Sequence, residues 1–194
     1  MKQKFFLEKL PERFTWRECY ELYLLVEGER PGALVMDPDS KDVELLKDFS
    51  HKFGLHFSVE SSDRGLSKQG FFASREKERL EILKSEGRFY GLSDRAVGRF
   101  LGYPETSIEY FEENIGGKPI EQEVREKLSE MIEDESVDKK DAELLELVCF
   151  VPAPTRESVN EALKVAESRK ERLNKKETGT KLLEKLMQNC IYSV

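Results

Sequence analysis

Histidine and cysteine are scarce in this chain, with two and three copies among 194 residues. Cys19, Cys149 and Cys190 lie far apart with no Cys-x-x-Cys pair. That excludes the usual zinc and dithiol spacings and implies free thiols in a reducing compartment. Neither His51 nor His56 has a Cys, Asp or Glu at ligand spacing, so no metal site is assigned to them. No apolar run approaches the roughly 20 residues that cross a bilayer. The opening MKQKFFLEKLPERF has only the Phe5-Phe6 pair before charge returns, so no secretory signal fits. Together these absences predict a cytoplasmic protein with no membrane role. There is no Gly-rich phosphate loop and no recognisable pairing of a nucleophile with a base. No catalytic residue, cofactor or metal is therefore expected.

What the chain has is charge. Charged residues make up 37% and hydrophobic ones 38%, with a net charge of −7. The signs are mixed rather than blocked, which favours folding over disorder. Asn and Gln total only eight. Abundant charge of both signs with few thermolabile amides is the composition of a heat-adapted protein. The length suits one large domain or two small ones.

The N-terminal half reads as alternating helix and strand. Thr15 and Glu18 form a capping box, with Phe14 and Cys19 placed as a hydrophobic staple. The following helix, to about Glu27, is apolar nearly all round, and Gly28 stops it. Ala33–Met36 is a short strand, and Asp37-Pro38-Asp39-Ser40 turns into a helix over about Lys41–Phe53 that ends at Gly54. Leu55–Glu60 alternates as a strand does, with Leu55, Phe57 and Val59 on one side. Strand, helix and strand with short joins predict a right-handed crossover and two parallel neighbours. Ser61–Gln69 is a polar loop, Gly70–Ala73 a possible third strand, and Ser74 to about Glu86 a charged helix.

Two places in this half could be taken for sites. Asp37 and Asp39 stand at a strand's carboxyl end, where α/β proteins place chemistry, but turn and N-cap geometry asks for the same residues. Arg64, Lys68 and Arg75 gather around a loop and a helix start that could hold an anion or a nucleic-acid backbone.

The densest local signals lie in Phe89–Phe111. Ser93 caps a helix running to Leu101, Gly102 stops it, and Pro104 opens another over about Glu105–Asn114. Gly98, Gly102, Tyr103 and Pro104 have the spacing of a helix-turn-helix corner. The second helix offers Glu105, Glu109, Glu112 and Glu113 and no cation, which would repel a phosphate backbone. Only Arg95 and Arg99 of the first helix could touch one. Residues 64–99 carry a net charge of +4 and residues 105–146 one of −10, with the corner between them. The plain reading of this division is two faces of a folded protein that partly neutralise each other, and the sharper one is docking between subunits or with a basic partner.

The run Ala96–Phe111, AVGRFLGYPETSIEYF, resembles a block in an archaeal family of uncharacterised proteins. A similar Phe-Leu-Gly-Tyr-Pro block occurs in an uncharacterised clostridial family, which has His-Glu-Ile where this chain has Arg95-Ala96-Val97. The resemblance is sharpest over Phe100–Pro104 and weaker over about residues 20–115. It implies an archaeal, cytoplasmic origin and carries no mechanism with it.

The remainder is helical. Ile120–Glu133 shows an apolar stripe, Lys139–Phe150 is strongly apolar at its end and favours helix over strand on length, and Pro152-Ala153-Pro154 leads to Thr155, the cap of a long charged helix to about Lys176. Lys181–Ile191 completes a hairpin. The expected fold is α+β and mostly helical: a small, mainly parallel sheet of two to three strands with helices, then an all-helical C-terminal part. Its expected parts are 1–87 and 88–194, the latter divided at 151/152, and they could form one compact domain. The expected role is a non-catalytic protein-interaction or scaffold module, a homo-oligomer. The alternatives are a nucleic-acid-associated regulatory factor using the corner, and a small-molecule binder or enzyme acting on phosphate-containing compounds.

Overall fold

The computed structural model describes residues 2–61, 69–85, 94–114 and 120–188. In chain order they form α1 (Lys2–Lys4), a π-helical turn (Phe5–Lys9) and a 3-10 turn (Leu10–Glu12), then α2 (Trp16–Glu27), β1 (Gly32–Met36), α3 (Ser40–Phe53), β2 (His56–Ser61) and β3 (Gln69–Ser74). There follow α4 (Lys77–Ser85), α5 (Asp94–Leu101), α6 (Glu105–Glu113), α7 (Ile120–Glu133), α8 (Lys139–Ala142), a 3-10 turn (Glu143–Leu147), α9 (Arg156–Asn174) and α10 (Glu177–Met187). Two compact units divide them. One is Glu21–Tyr103, and the other joins Met1–Tyr20 to Pro104–Val194. The expected boundary at 87/88 falls outside the described residues.

The strand unit is a mostly helical arrangement around three strands in the order β1-β3-β2, all antiparallel. This corrects the expected parallel pairing. β1 and β2 do run the same way, as a helical crossover between them demands, but β3 fills the slot between them. Two sequence features account for this. The Ser61–Gln69 connection is too short for a parallel crossover, so β2 and β3 pair as a hairpin. Phe71, Phe72 and Ala73 are all buried, which requires cover on both faces and so a central strand.

Residues directly opposite one another share a face, which assigns the layers. Leu34, Phe72 and Ser58 form one row, and Phe72 packs with Leu80 and Leu83 of α4 and Phe100 and Leu101 of α5. Val35, Phe71 and Val59 belong to the other face, where Phe57 meets His51 of α3 edge-on at 5.6 Å. The cap signals behave as expected. Asp39 accepts from the amides of Lys41 and Asp42 while Asp42 accepts from the amide of Asp39, and Gly54 closes α3 in the left-handed region.

In the helical unit the Thr15–Glu18 capping box is complete, each side chain accepting from the other residue's amide. α7, α9 and α10 bury Leu128, Met131, Val159, Leu163, Leu173 and Leu186. The helix expected over Lys139–Phe150 is present only as far as Leu147, as α8 and then a 3-10 turn. After α8 the chain tightens into the 3-10 turn and then leaves regular structure, with Cys149 at φ +60°. The carbonyls freed by this irregular course are buried and take donors from distant side chains. Arg17 donates to the Glu146 carbonyl at 2.8 Å, Tyr20 Oη to Leu147 at 3.0 Å, and Arg169 to Leu147 at 2.8 Å and Val148 at 2.5 Å. Buried backbone polar groups need partners, and these side chains let the helix tighten and end here without leaving carbonyls unsatisfied.

Candidate functional site

Arg64 and Lys68 lie outside the described residues. Arg75 is exposed but donates from Nη1 to the Val26 carbonyl at 3.1 Å, closing the C-terminus of α2. Arg79, which the sequence did not single out, closes α5 in the same way through the Arg99 carbonyl at 2.9 Å. Arg95 is half-buried and Arg99 exposed, and neither is free.

The residues of the corner prove to be a mating surface inside the strand unit. Gly98 accepts from the Tyr103 amide at 2.9 Å, and Gly102 sits at φ +78°, where only glycine is cheap. A Cβ on Gly102 would stand 2.5 Å from Pro31 Cγ, and one on Gly32 would stand 2.6 Å from the Phe100 carbonyl oxygen. The end of α5 thus fits against Pro31-Gly32 at the start of β1 with backbone nearly touching backbone. Arg30, only 3% exposed, pairs with Glu21 at 2.5 Å and lies over the Tyr103 ring at 5.9 Å. Pro104 belongs to the other unit, as the N-cap residue of α6.

The place where polar side chains do converge is the outer edge of β2. A groove of 350 Å³ is lined there by His51 of α3, His56, Phe57 and Ser58 of β2, and Lys77, Leu80 and Glu81 of α4. α3 covers one face of the sheet and α4 the other. The groove touches both helices beside the first residues of β2, the strand with no neighbour on its outer side among the described residues. Both histidines of the chain meet there. On sequence grounds they were unremarkable polar positions on different elements, and only the position of β2 at the edge brings them together.

The helical unit holds a groove of 320 Å³ between the 3-10 turn, α9 and α10, apolar through Leu144, Leu147, Leu183 and Met187. Groups with shifted proton affinity do not mark a reactive centre in either unit. The Cys19 thiol is pushed up to about 12 by burial and then by the neighbouring Glu18, which makes it inert at neutral pH. Tyr23 is likewise raised to about 12 by burial and Glu27. Tyr110 is raised chiefly because it donates to the Glu123 carboxylate. Among the described residues no cluster of three or more His, Cys, Asp or Glu side chains could hold a metal ion, and no helix is long and apolar enough to cross a membrane.

The chain matches no family model, no curated protein and no solved structure.

Proposed function

We propose that this chain is a non-catalytic protein-interaction module that associates with further copies of itself. The observation that carries this reading is the open edge of β2, a row of backbone donors and acceptors with no neighbouring strand among the described residues. Sheet edges are templates for another strand, and proteins that avoid such pairing block them with Lys, Pro or a bulge. His56–Ser61 contains no Lys and no Pro. The division between a positive segment and an acidic one supports contact between protein surfaces in the same direction. A role on nucleic acid finds less support, since Arg75 is committed to closing a helix and α6 presents carboxylates.

The same groove gives one specific reason for a second reading, a phosphate-bearing small molecule held by His51, His56 and Lys77. Light scattering on the eluting protein at ~10–100 μM separates the two. Self-association gives at least twice the chain mass, unchanged by pyrophosphate. A monomer throughout this range, stabilised against heat by pyrophosphate, would replace the first reading with the second.

A further inference from the structure

We propose that two copies of the chain pair β2 against β2, antiparallel, about a two-fold axis passing through Ser58. This rests on the self-association proposed above and names its surface, its register and the side chains that select it.

The argument begins with symmetry. Antiparallel pairing of two identical edges requires the two-fold axis to stand perpendicular to the sheet, so each face continues onto the same face of the other copy. Side chains directly opposite must then share a face, which confines the centre to a residue rather than a peptide bond. A centre at Phe57 would set His56 against Ser58, and a centre at Val59 would set Ser58 against Glu60. A centre at Ser58 sets His56 against Glu60 and Phe57 against Val59, each twice, and keeps the whole of 56–60 in the ladder. That register alone matches an imidazole N–H donor with a carboxylate and an aromatic ring with a β-branched side chain at every position beside the axis.

The layers agree with it. His56, Ser58 and Glu60 belong to the α4 face, where Ser58 Oγ donates to Glu60. On that face Lys77 and Glu81 line the groove one helical turn apart. Phe57 and Val59 belong to the α3 face, where Phe57 already stacks on Phe71 at 5.3 Å. Their partial burial is completed by the second copy. The result is a continuous six-stranded sheet with helices on both faces, in which β2 is no longer an edge. The other edge, β1, is unsuited to this, being bracketed by Pro31 and Pro38.

Both copies carry −7, so the association is measured at physiological salt, where a Debye length of about 8 Å leaves close pairs intact and screens the rest. The experiment is sedimentation equilibrium on the full chain and three variants, each checked for native circular dichroism. Ser58→Lys sets like charges face to face on the axis and is expected to give a monomer. His56→Glu sets two pairs of carboxylates opposite each other and is expected to weaken the dimer roughly tenfold. His56→Glu combined with Glu60→Lys sets opposite charges face to face only if residues 56 and 60 face one another, and is expected to recover the dimer. A wild-type dimer that Ser58→Lys leaves intact overturns the β2 surface while self-association stands. A loss with His56→Glu that the double variant does not recover overturns the register. A wild-type monomer overturns self-association and this pairing together.

Discussion

The two units bury awkward backbone by opposite means. In the strand unit, the end of α5 and the start of β1 come together because side chains are missing: Gly32 and Gly102 let Phe100 and Pro31 occupy the space a Cβ would need. In the helical unit, the stretch from Glu146 to Val148 is accommodated because long side chains are added, with Arg17, Tyr20 and Arg169 reaching in to satisfy its carbonyls. The first device tolerates no added atom, and the second tolerates no removed donor.

The largest break in this comparison should come from Gly32→Ala. The nearest obstacle is a backbone oxygen at 2.6 Å, which cannot swing away as a flexible side chain would, with the Phe100 ring at 2.8 Å behind it. Overpacking of this kind costs about 3 kcal/mol, read as a lower urea midpoint with an unchanged slope. The mirror experiment in the helical unit is Arg169→Met, which keeps the packed stem and deletes the donors. It withdraws the Arg169 hydrogen bonds from the carbonyls of Leu147 and Val148 at a residue only 8% exposed, a loss of about 2 kcal/mol in the same measurement.

The smallest effect serves as a control, since Asp134 and Arg156 tie the ends of α7 and α9 together in solvent. The Asp134 carboxyl is held below its ordinary 3.8 first by the Ser136 hydroxyl and then by Arg156. A lowered carboxyl affinity stabilises the fold above about 3.8, and that contribution disappears as pH falls through the lower folded value. Asp134→Asn should therefore melt slightly below the parent at pH 7, and the two melting curves should converge under acid. A gap that persists at pH 2 would assign the effect to something other than this charge.

Local devices were legible in the sequence because their physics is local. Thr15 with Glu18 and Asp39 before its helix are caps whose partners lie within one turn, and Gly54 and Gly102 announced their helix ends. The mainly parallel sheet was misjudged because a crossover fixes the direction of two strands but not what lies between them. The doubly buried Phe71-Phe72-Ala73 run was the available signal for a central strand. The helix chosen from Lys139 runs only to Leu147, and its early end was hidden because the donors to the carbonyls there sit more than twenty residues away in α9 and over a hundred away in α2. The β2 groove was invisible for a related reason. His51 and His56 point to opposite layers of the sheet, and periodicity cannot reveal that both overhang the same edge.

The division into units also bears on how the chain is made. Glu21–Tyr103 is continuous and has all its strands once β3 has been synthesised. The helical unit is interrupted by the whole of the other. Gln3 bonds to Glu177, and Lys185 lies over the Trp16 ring, so these residues meet partners made only after the whole strand unit. Phe5 and Phe6, buried in a turn that packs against α10, must therefore remain uncovered by it until α10 has been made. Exposed apolar surface in an unfinished chain is where aggregation begins, so a chain cut short before α10 should depend on chaperones far more than the full one.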